Sequence, residues 1–215
     1  MLIVGAKGLA KEVLEICLQL NELKNLTFYD DVSPLLSDKL YGLFPILSSE
    51  ESAKEYFQKV DNRFSLAVGN PSVRQYLFNK FISLGGKPYS LISTKSYISS
   101  FGVHIAEGVT IMLDTNISND VTINNGCLIN QMTCISHDVV IGEFSEICPR
   151  TTIAGNCMIG NNSFLGIGTI VLPKIKIGDH VIIGAGSVIT KDIPSNCTVV
   201  GIPGRIIKTN SKSNS

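Results

Sequence analysis

From Ile105 onward an aliphatic residue recurs every six positions without a break, and no other property of this chain restricts its fold as much. The series runs Ile105, Ile111, Ile117, Ile123, Ile129, Ile135, Ile141, Ile147, Ile153, Ile159, Leu165, Val171, Ile177, Ile183 and Ile189. An amphipathic helix would repeat its apolar residues at three and four, and it would not carry the Gly, Asn and β-branched residues that fill these intervals. A second register two residues earlier holds small or β-branched residues, from Val109, Thr115 and Val121 through Cys127 and Cys157 to Ser187. Both registers are expected to point inward. Each hexamer is then one short strand and one turn, and three hexamers make a triangular coil, about five coils in all. Residues eighteen apart stack one strand spacing from each other, about 4.8 Å. Gly follows the aliphatic residue at 142, 160, 166, 178 and 184, where the pattern predicts corners of positive φ. Spacing leaves the handedness open.

Ahead of the repeat, the hydrophobic pattern alternates between strand and helix. It predicts strands at Leu2–Val4, Thr27–Tyr29 and Ser65–Val68, with helices over Leu9–Leu20, Ser49–Lys59 and Val73–Leu84, the order of a small parallel, Rossmann-like α/β sheet. Gly85-Gly86-Lys87-Pro88 marks the turn towards the second half. The expected division is an α/β domain over 1–92, a parallel β-helix over 93–208 and a disordered polar tail over 209–215.

Composition narrows the function. Eighteen basic residues balance eighteen acidic ones, so there is no net field of the kind that draws nucleic acid or anionic membrane. The start, Met1-Leu2-Ile3-Val4-Gly5, has no basic leader, and no stretch reaches the roughly 20 apolar residues of a membrane span. A cytoplasmic protein with reduced thiols is expected, since the six cysteines include no CxxC pair. Cys127 and Cys157 fall in the inward register and read as core.

Three loops lie at the carboxyl ends of the expected strands. Gly5-Ala6-Lys7-Gly8-Leu9-Ala10-Lys11 opens a helix and suits a phosphate, with Lys7 or Lys11 adding charge, although a plain βα turn would look the same. Asp30 and Asp31 follow the second strand, where acids accept hydrogen bonds from a ribose or base. Gly69-Asn70-Pro71, with Arg74 one turn into the helix, closes the other side. Together they point to a pocket for a nucleotide diphosphate. Within the repeat, Asn130-Gln131-Met132-Thr133-Cys134-Ile135-Ser136-His137-Asp138 puts polar and titratable residues outward. Of His104, His137 and His180, only His137 sits mid-repeat beside an acid. Its ring can take a proton from an attacking amine or hydroxyl while the carboxylate holds it. Gly155, eighteen residues on, should stack beside it and leave a backbone N–H open to an oxyanion.

The combination of Gly5 to Lys11, Asn130, His137-Asp138, Ala154-Gly155 and the ending Val200-Gly201-Ile202-Pro203-Gly204-Arg205 resembles the hexapeptide-repeat sialic acid O-acetyltransferases and bacillosamine-pathway sugar N-acetyltransferases, from Leu2 to about Lys208. The resemblance implies a left-handed β-helix, a homotrimer with acetyl-CoA between neighbours, and a sugar nucleotide on the first domain. It implies His137 as general base, Asp138 as its partner, Gly155 as oxyanion donor and Asn130 as a residue that positions the acceptor. Gly166, Gly184, Ala185, Gly201 and Pro203 match regions that line the pantetheine and adenine. Two positions depart from the pattern: Leu9 replaces a His of the first loop, and Glu146 stands where a second His is common. Glu146 either meets a cationic amine of the acceptor or faces solvent.

The expected substrates are acetyl-CoA and a nucleotide-linked 4-amino-4,6-dideoxy sugar in glycan biosynthesis, with Gly8, Leu9, Lys11, Asp30, Asp31, Asn70, Arg74, Asn130 and Glu146 on the sugar-nucleotide side. Sialic acid O-acetylation and a non-enzymatic β-helix scaffold stay open as alternatives. No metal is expected: a β-helix carbonic anhydrase needs three zinc-binding histidines, and 104, 137 and 180 have the wrong spacing.

Overall fold

The computed structural model describes residues 1–33 and 38–209. The first part is a six-stranded sheet in the order β3-β4-β2-β1-β5-β6, formed by β1 (Leu2–Val4), β2 (Thr27–Tyr29), β3 (Lys39–Leu40), β4 (Phe44–Leu47), β5 (Arg63–Leu66) and β6 (Lys87–Pro88). All neighbours are parallel except the β3–β4 hairpin. That hairpin lies between Tyr29 and Ser49, where the hydrophobic pattern predicts no element. Being buried on both faces, β1 reads as a continuous apolar run. Ile3 and Phe28 pack on α1 (Gly8–Gln19), whereas Leu2, Val4 and Phe64 pack on α2 (Glu50–Lys59) and α3 (Pro71–Ser83). Ser49 caps α2 through Ser52 N–H, and Asn70 caps α3 through Val73 N–H at 3.1 Å.

The second part is a triangular parallel β-helix of two-residue strands. Face one carries Leu91–Ile92, Thr110–Ile111, Leu128–Ile129, Glu146–Ile147, Phe164–Leu165 and Ile182–Ile183, then Cys197–Val200. Face two runs from Tyr97–Ile98 to Val188–Ile189, and face three from His104–Ile105 to Lys176–Ile177. Both predicted registers point inward: Ile111 through Ile153 and Val109, Thr115, Thr151 and Ser163 are at most 1% exposed. Each such aliphatic side chain contributes about 1.5–3 kcal/mol by leaving water. The stack begins earlier than the six-residue series. Ile98 and Ile105 are seven apart, so one extra residue hides the coil that starts at Leu91, and Ile111 pairs with Ile92 rather than beginning the sheet.

The glycines after the aliphatic positions need correction. None of Gly142, Gly160, Gly166, Gly178 and Gly184 has positive φ. Positive φ falls two residues further on, at Asp120, Gly126, Met132, Asp138, Phe144, Asn156, Asn162, Gly168, His180 and their equivalents. The glycines answer to stacking instead: a Cβ on Gly142 would lie 2.6 Å from the Gly160 carbonyl carbon one coil away. Thr209, expected in the tail, ends the last strand, Arg205–Thr209, opposite Cys197. The rest of that tail lies outside the described residues.

The α/β part covers the first coils of face one. Outward residues Leu91, Thr110, Leu128 and Glu146 are buried there, while Ile182 further along is 45% exposed. Gly108, Gly126 and Phe144 form the corner between faces three and one, where Phe144 stacks edge-on against Phe78 at 5.2 Å.

Candidate active site

The three loops at the strand ends meet as expected. They enclose a crevice of about 530 Å3 lined by Gly5, Leu9, Asp30, Asp31, Gly69 and Lys80 among others. Gly5 is required there: its φ is +112°, and a Cβ would lie 2.6 Å from the Ala67 carbonyl oxygen. Asp30 accepts from Val32 N–H at 3.2 Å and Ser33 N–H at 2.9 Å, which fixes its loop. Asp31 accepts from the Tyr29 hydroxyl at 2.9 Å and from Lys80 at 3.2 Å. Burial and the Asp31 carboxylate push the Tyr29 phenol up to about 12, so it stays a donor at neutral pH. Lys80 also meets Glu50 at 3.1 Å. Burial works against its charge, but Glu50 and Asp31 outweigh burial and hold the ammonium above the usual lysine range. The hydrophobic pattern marks Lys80 only as a polar residue of α3, so its place in the crevice comes from the fold.

Other expected contacts lie elsewhere. Gly8 starts α1 outside the crevice, and Lys11 sits over the Tyr41 ring at 5.7 Å. Arg74 is the main correction. Rather than facing ligand, it is 2% exposed and donates to the carbonyls of Val68, Gly69, Gly126 and Phe144. These four hydrogen bonds join the two parts of the chain through backbone carbonyls. Glu146 does not face solvent. It is 8% exposed, and it lines a second cavity of about 660 Å3 with Gly69, Asn70, Asn162 and His180. Asn130 is buried and donates to Glu146 at 3.4 Å and to the Ile147 carbonyl at 3.2 Å. Beside it, Gln131 Oε1 is buried with no partner among the described residues.

His137 stands exposed at the corner between faces two and three. Its Nδ1 lies 2.6 Å from Asp138 Oδ2. In the tautomer whose Nδ1–H donates to Asp138 Oδ2, Nε2 keeps its lone pair. Asp138 occupies the positive-φ corner position, φ +58°, which Asp tolerates better than most residues. Gly155 lies one coil on, against the imidazole, and its N–H has no acceptor among the described residues. A base poised over a free N–H can accept a proton while the N–H meets a developing oxyanion.

One chain does not bring these groups together. In a triangular prism, the corner between faces two and three is opposite face one, where the crevice and Glu146 lie. Gly166, Gly184 and Ala185 share the corner between faces one and two with Asn130, and Gly201 and Pro203 are exposed beyond them. Exposed Ile167 and Ile202 extend this small-residue strip into an apolar edge.

The family model described as the PglD N-terminal domain matches residues 1–81, and the bacterial transferase hexapeptide model, six repeats, matches residues 156–191. Comparison with curated proteins finds no match. Among solved structures, the chain is similar to PerB from Caulobacter crescentus in complex with CoA and GDP-perosamine: 27% identity, TM-score 0.88, 96% of each chain covered. It is similar to the acetyltransferase domain of PglB from Neisseria gonorrhoeae in complex with acetyl coenzyme A, at 26% identity and TM-score 0.85, over 96% of this chain and 98% of that one. WeeI from Acinetobacter baumannii shares the fold at 24% identity and TM-score 0.63, with the same coverage.

Proposed function

As this chain belongs to the hexapeptide-repeat sugar N-acetyltransferases, with their left-handed β-helix, we propose that it transfers the acetyl group of acetyl-CoA to the amine of a nucleotide-linked 4-amino-4,6-dideoxy sugar. The observation that carries the reading is the imidazole of His137, held by Asp138 at 2.6 Å and set against the free N–H of Gly155. The complexes of PerB with CoA and GDP-perosamine and of PglB with acetyl coenzyme A support it.

The neutral amine attacks the thioester carbon, and His137 Nε2 takes the proton lost from nitrogen. The carbonyl oxygen, now an oxyanion, accepts from Gly155 N–H. As the C–S bond breaks, the proton on His137 passes to the leaving thiolate and CoA departs as thiol. The nucleotide sits in the crevice with Lys80 near its phosphates, and Asn130 orients the acceptor. Acetyl-CoA lies along the strip of Gly166, Gly184, Ala185, Gly201 and Pro203, where the absence of bulky side chains suits a narrow pantetheine chain.

Because His137 and the crevice occupy opposite parts of the prism, the site is completed by a neighbouring copy. A homotrimer packed through the β-helix does this with one kind of contact. A cytoplasmic site of action is part of this reading, and no described helix is long and apolar enough to cross a membrane.

Release of CoA thiol from acetyl-CoA tests the reading, with wild type and His137→Ala against UDP-, dTDP- and GDP-linked 4-amino sugars and free sialic acid. Release with one amino-sugar nucleotide, abolished in the variant, is expected. Release with sialic acid alone, or with nothing, overturns it.

A further inference from the structure

The second cavity contains a charge that no other group among the described residues neutralises directly. The Glu146 carboxylate is buried, yet its only hydrogen-bond partners among the described residues are Asn130 Nδ2 at 3.4 Å and the Cys148 thiol at 3.9 Å. An ionised carboxylate accepts about four hydrogen bonds, and buried charges are normally paired. Arg74 is close enough to act through space, but its N–H groups are taken by four carbonyls and form no ion pair with Glu146. Asn162 lines the same cavity, and its Oδ1 is buried without a partner among the described residues. His180 stands one coil beyond Asn162 on the same corner.

Two acceptors short of donors, the Glu146 carboxylate and Asn162 Oδ1, fit a ligand that brings several N–H groups and a positive charge. The cavity is also placed to receive one. Gly69 lines both it and the crevice, so a sugar attached to a nucleotide in the crevice passes Gly69 into the cavity. A Cβ on Gly69 would lie 3.3 Å from both Glu146 oxygens, so Gly leaves that passage open.

Resting on the acetyl-transfer reading, we propose that Glu146 is the first of two proton acceptors: it takes a proton from the ammonium form of the acceptor sugar, and the neutral amine then attacks acetyl-CoA. The protons balance. The ammonium gives one proton to the Glu146 carboxylate and becomes an amine. On attack the nitrogen gives a second proton to His137 of the partner subunit, which passes it to the leaving thiolate. Glu146 returns its proton to water when the amide product, which has no basic nitrogen, leaves. Burial pushes the Glu146 carboxyl above its ordinary range against the opposing pull of Arg74 and Asn130, which brings its proton affinity closer to that of an amine. The charged or titratable groups that face it are Arg74 from α3, Cys148 from its own coil and His180 from two coils beyond.

The test compares wild type, Glu146→Gln and Asn162→Gly, the last keeping the positive φ of position 162. For each, kcat/KM with the best amino-sugar nucleotide is measured from pH 6.5 to 9, and affinity is measured for that compound and its 4-hydroxy analogue. Wild type is expected to change little below pH 8. Glu146→Gln should fall about tenfold per unit below about pH 8, where an amine of α-amino basicity becomes ammonium, and climb towards wild type at pH 9. Asn162→Gly should lose part of the preference for amine over hydroxyl, about threefold or more for one charge-assisted hydrogen bond. A Glu146→Gln profile parallel to wild type, with the amine preference intact, overturns the role of Glu146 alone. A wild type inactive on every amine overturns the transfer reading and this inference with it.

Discussion

The imidazole of His137 occupies the space into which a side chain at position 155 would project: a Cβ built on Gly155 would lie 2.6 Å from its Cε1 and 2.7 Å from its Nε2. Gly155 has ordinary φ, so its identity answers to the ring and not to the backbone. Gly155→Ala is therefore expected to displace the base and cut kcat by about 100-fold or more. An exposed ring that can swing aside limits the cost in stability to about 1–3 kcal/mol. Steady-state kinetics beside a thermal melt checks both, and an active Gly155→Ala enzyme removes His137 from the reaction.

Asp138 serves two purposes that substitution can separate. Its carboxylate meets Nδ1 of His137 at 2.6 Å, and its backbone turns the corner at φ +58°. Asp138→Asn keeps a residue at ease in that conformation and removes the charge, so the fold should hold while kcat drops about 10- to 100-fold, less than the full contribution of a general base. Asp138→Val should instead cost about 1–2 kcal/mol of stability as well. Equal melting temperatures for the two variants would contradict the backbone part of this argument.

Arg74 joins the two halves of the chain. Its guanidinium donates to Gly126 O at 2.7 Å and Phe144 O at 2.7 Å while also holding the Val68–Gly69 loop. Arg74→Met keeps the volume but leaves these buried carbonyls unpaired, at about 1–3 kcal/mol each. A loss of at least about 3 kcal/mol in urea unfolding is expected, with weaker nucleotide binding as a secondary effect. A variant within 1 kcal/mol of wild type would show that the carbonyls find other partners.

Acid stability should come from one arginine. Arg63 donates to Glu22 at 2.8 and 2.9 Å and to Asp61 at 2.8 Å. Those bonds lower the Glu22 carboxyl, and for Asp61 they outweigh the opposing effect of burial, so both lie below the ordinary carboxylate range. The folded state thus binds these protons more weakly than the unfolded chain does. The contribution is complete above about pH 5 and is lost as pH falls through the lower folded-state values. Because the groups are partly exposed, each is worth about 1 kcal/mol or less and weakens with salt. Arg63→Met should flatten the acid arm of a stability profile between pH 5 and 2; an unchanged arm would place the titration elsewhere.

The repeat was legible because one period of six buries two registers at once, and only a triangular coil satisfies both. Its first coil was hidden by a single extra residue between Ile98 and Ile105, which shifts the phase without disturbing the stack. The corners depart from the expected glycine positions for a physical reason. Gly next to an aliphatic residue suggests positive φ, but at Gly142 and Gly160 it marks the close approach of successive coils, while residues as large as Phe144 and Arg150 accept the left-handed turn. His137 and Asp138 could be found from adjacency in the chain. Arg74 and Glu146 could not, since their surroundings come from carbonyls and loops 52 to 77 residues away.

The opposite placement of His137 and the crevice makes a prediction about mixtures. In a trimer whose sites each take the base from one copy and the nucleotide pocket from the next, two differently inactivated chains should restore one another. His137→Ala removes the base. Lys80→Glu sets a third carboxylate beside Asp31 and Glu50 and should repel nucleotide phosphates. Each variant alone should retain about 1% of wild-type activity or less. When the two are co-expressed with different affinity tags and mixed trimers are isolated by both, each mixed trimer, whether two-to-one or one-to-two, has about one site in three with an intact His137 from one chain and an intact crevice from its neighbour. Recovery to about a third of wild-type kcat is therefore expected from two chains that are each inactive. A site contained within one chain gives no recovery at any mixing ratio, because every site then carries one of the two lesions.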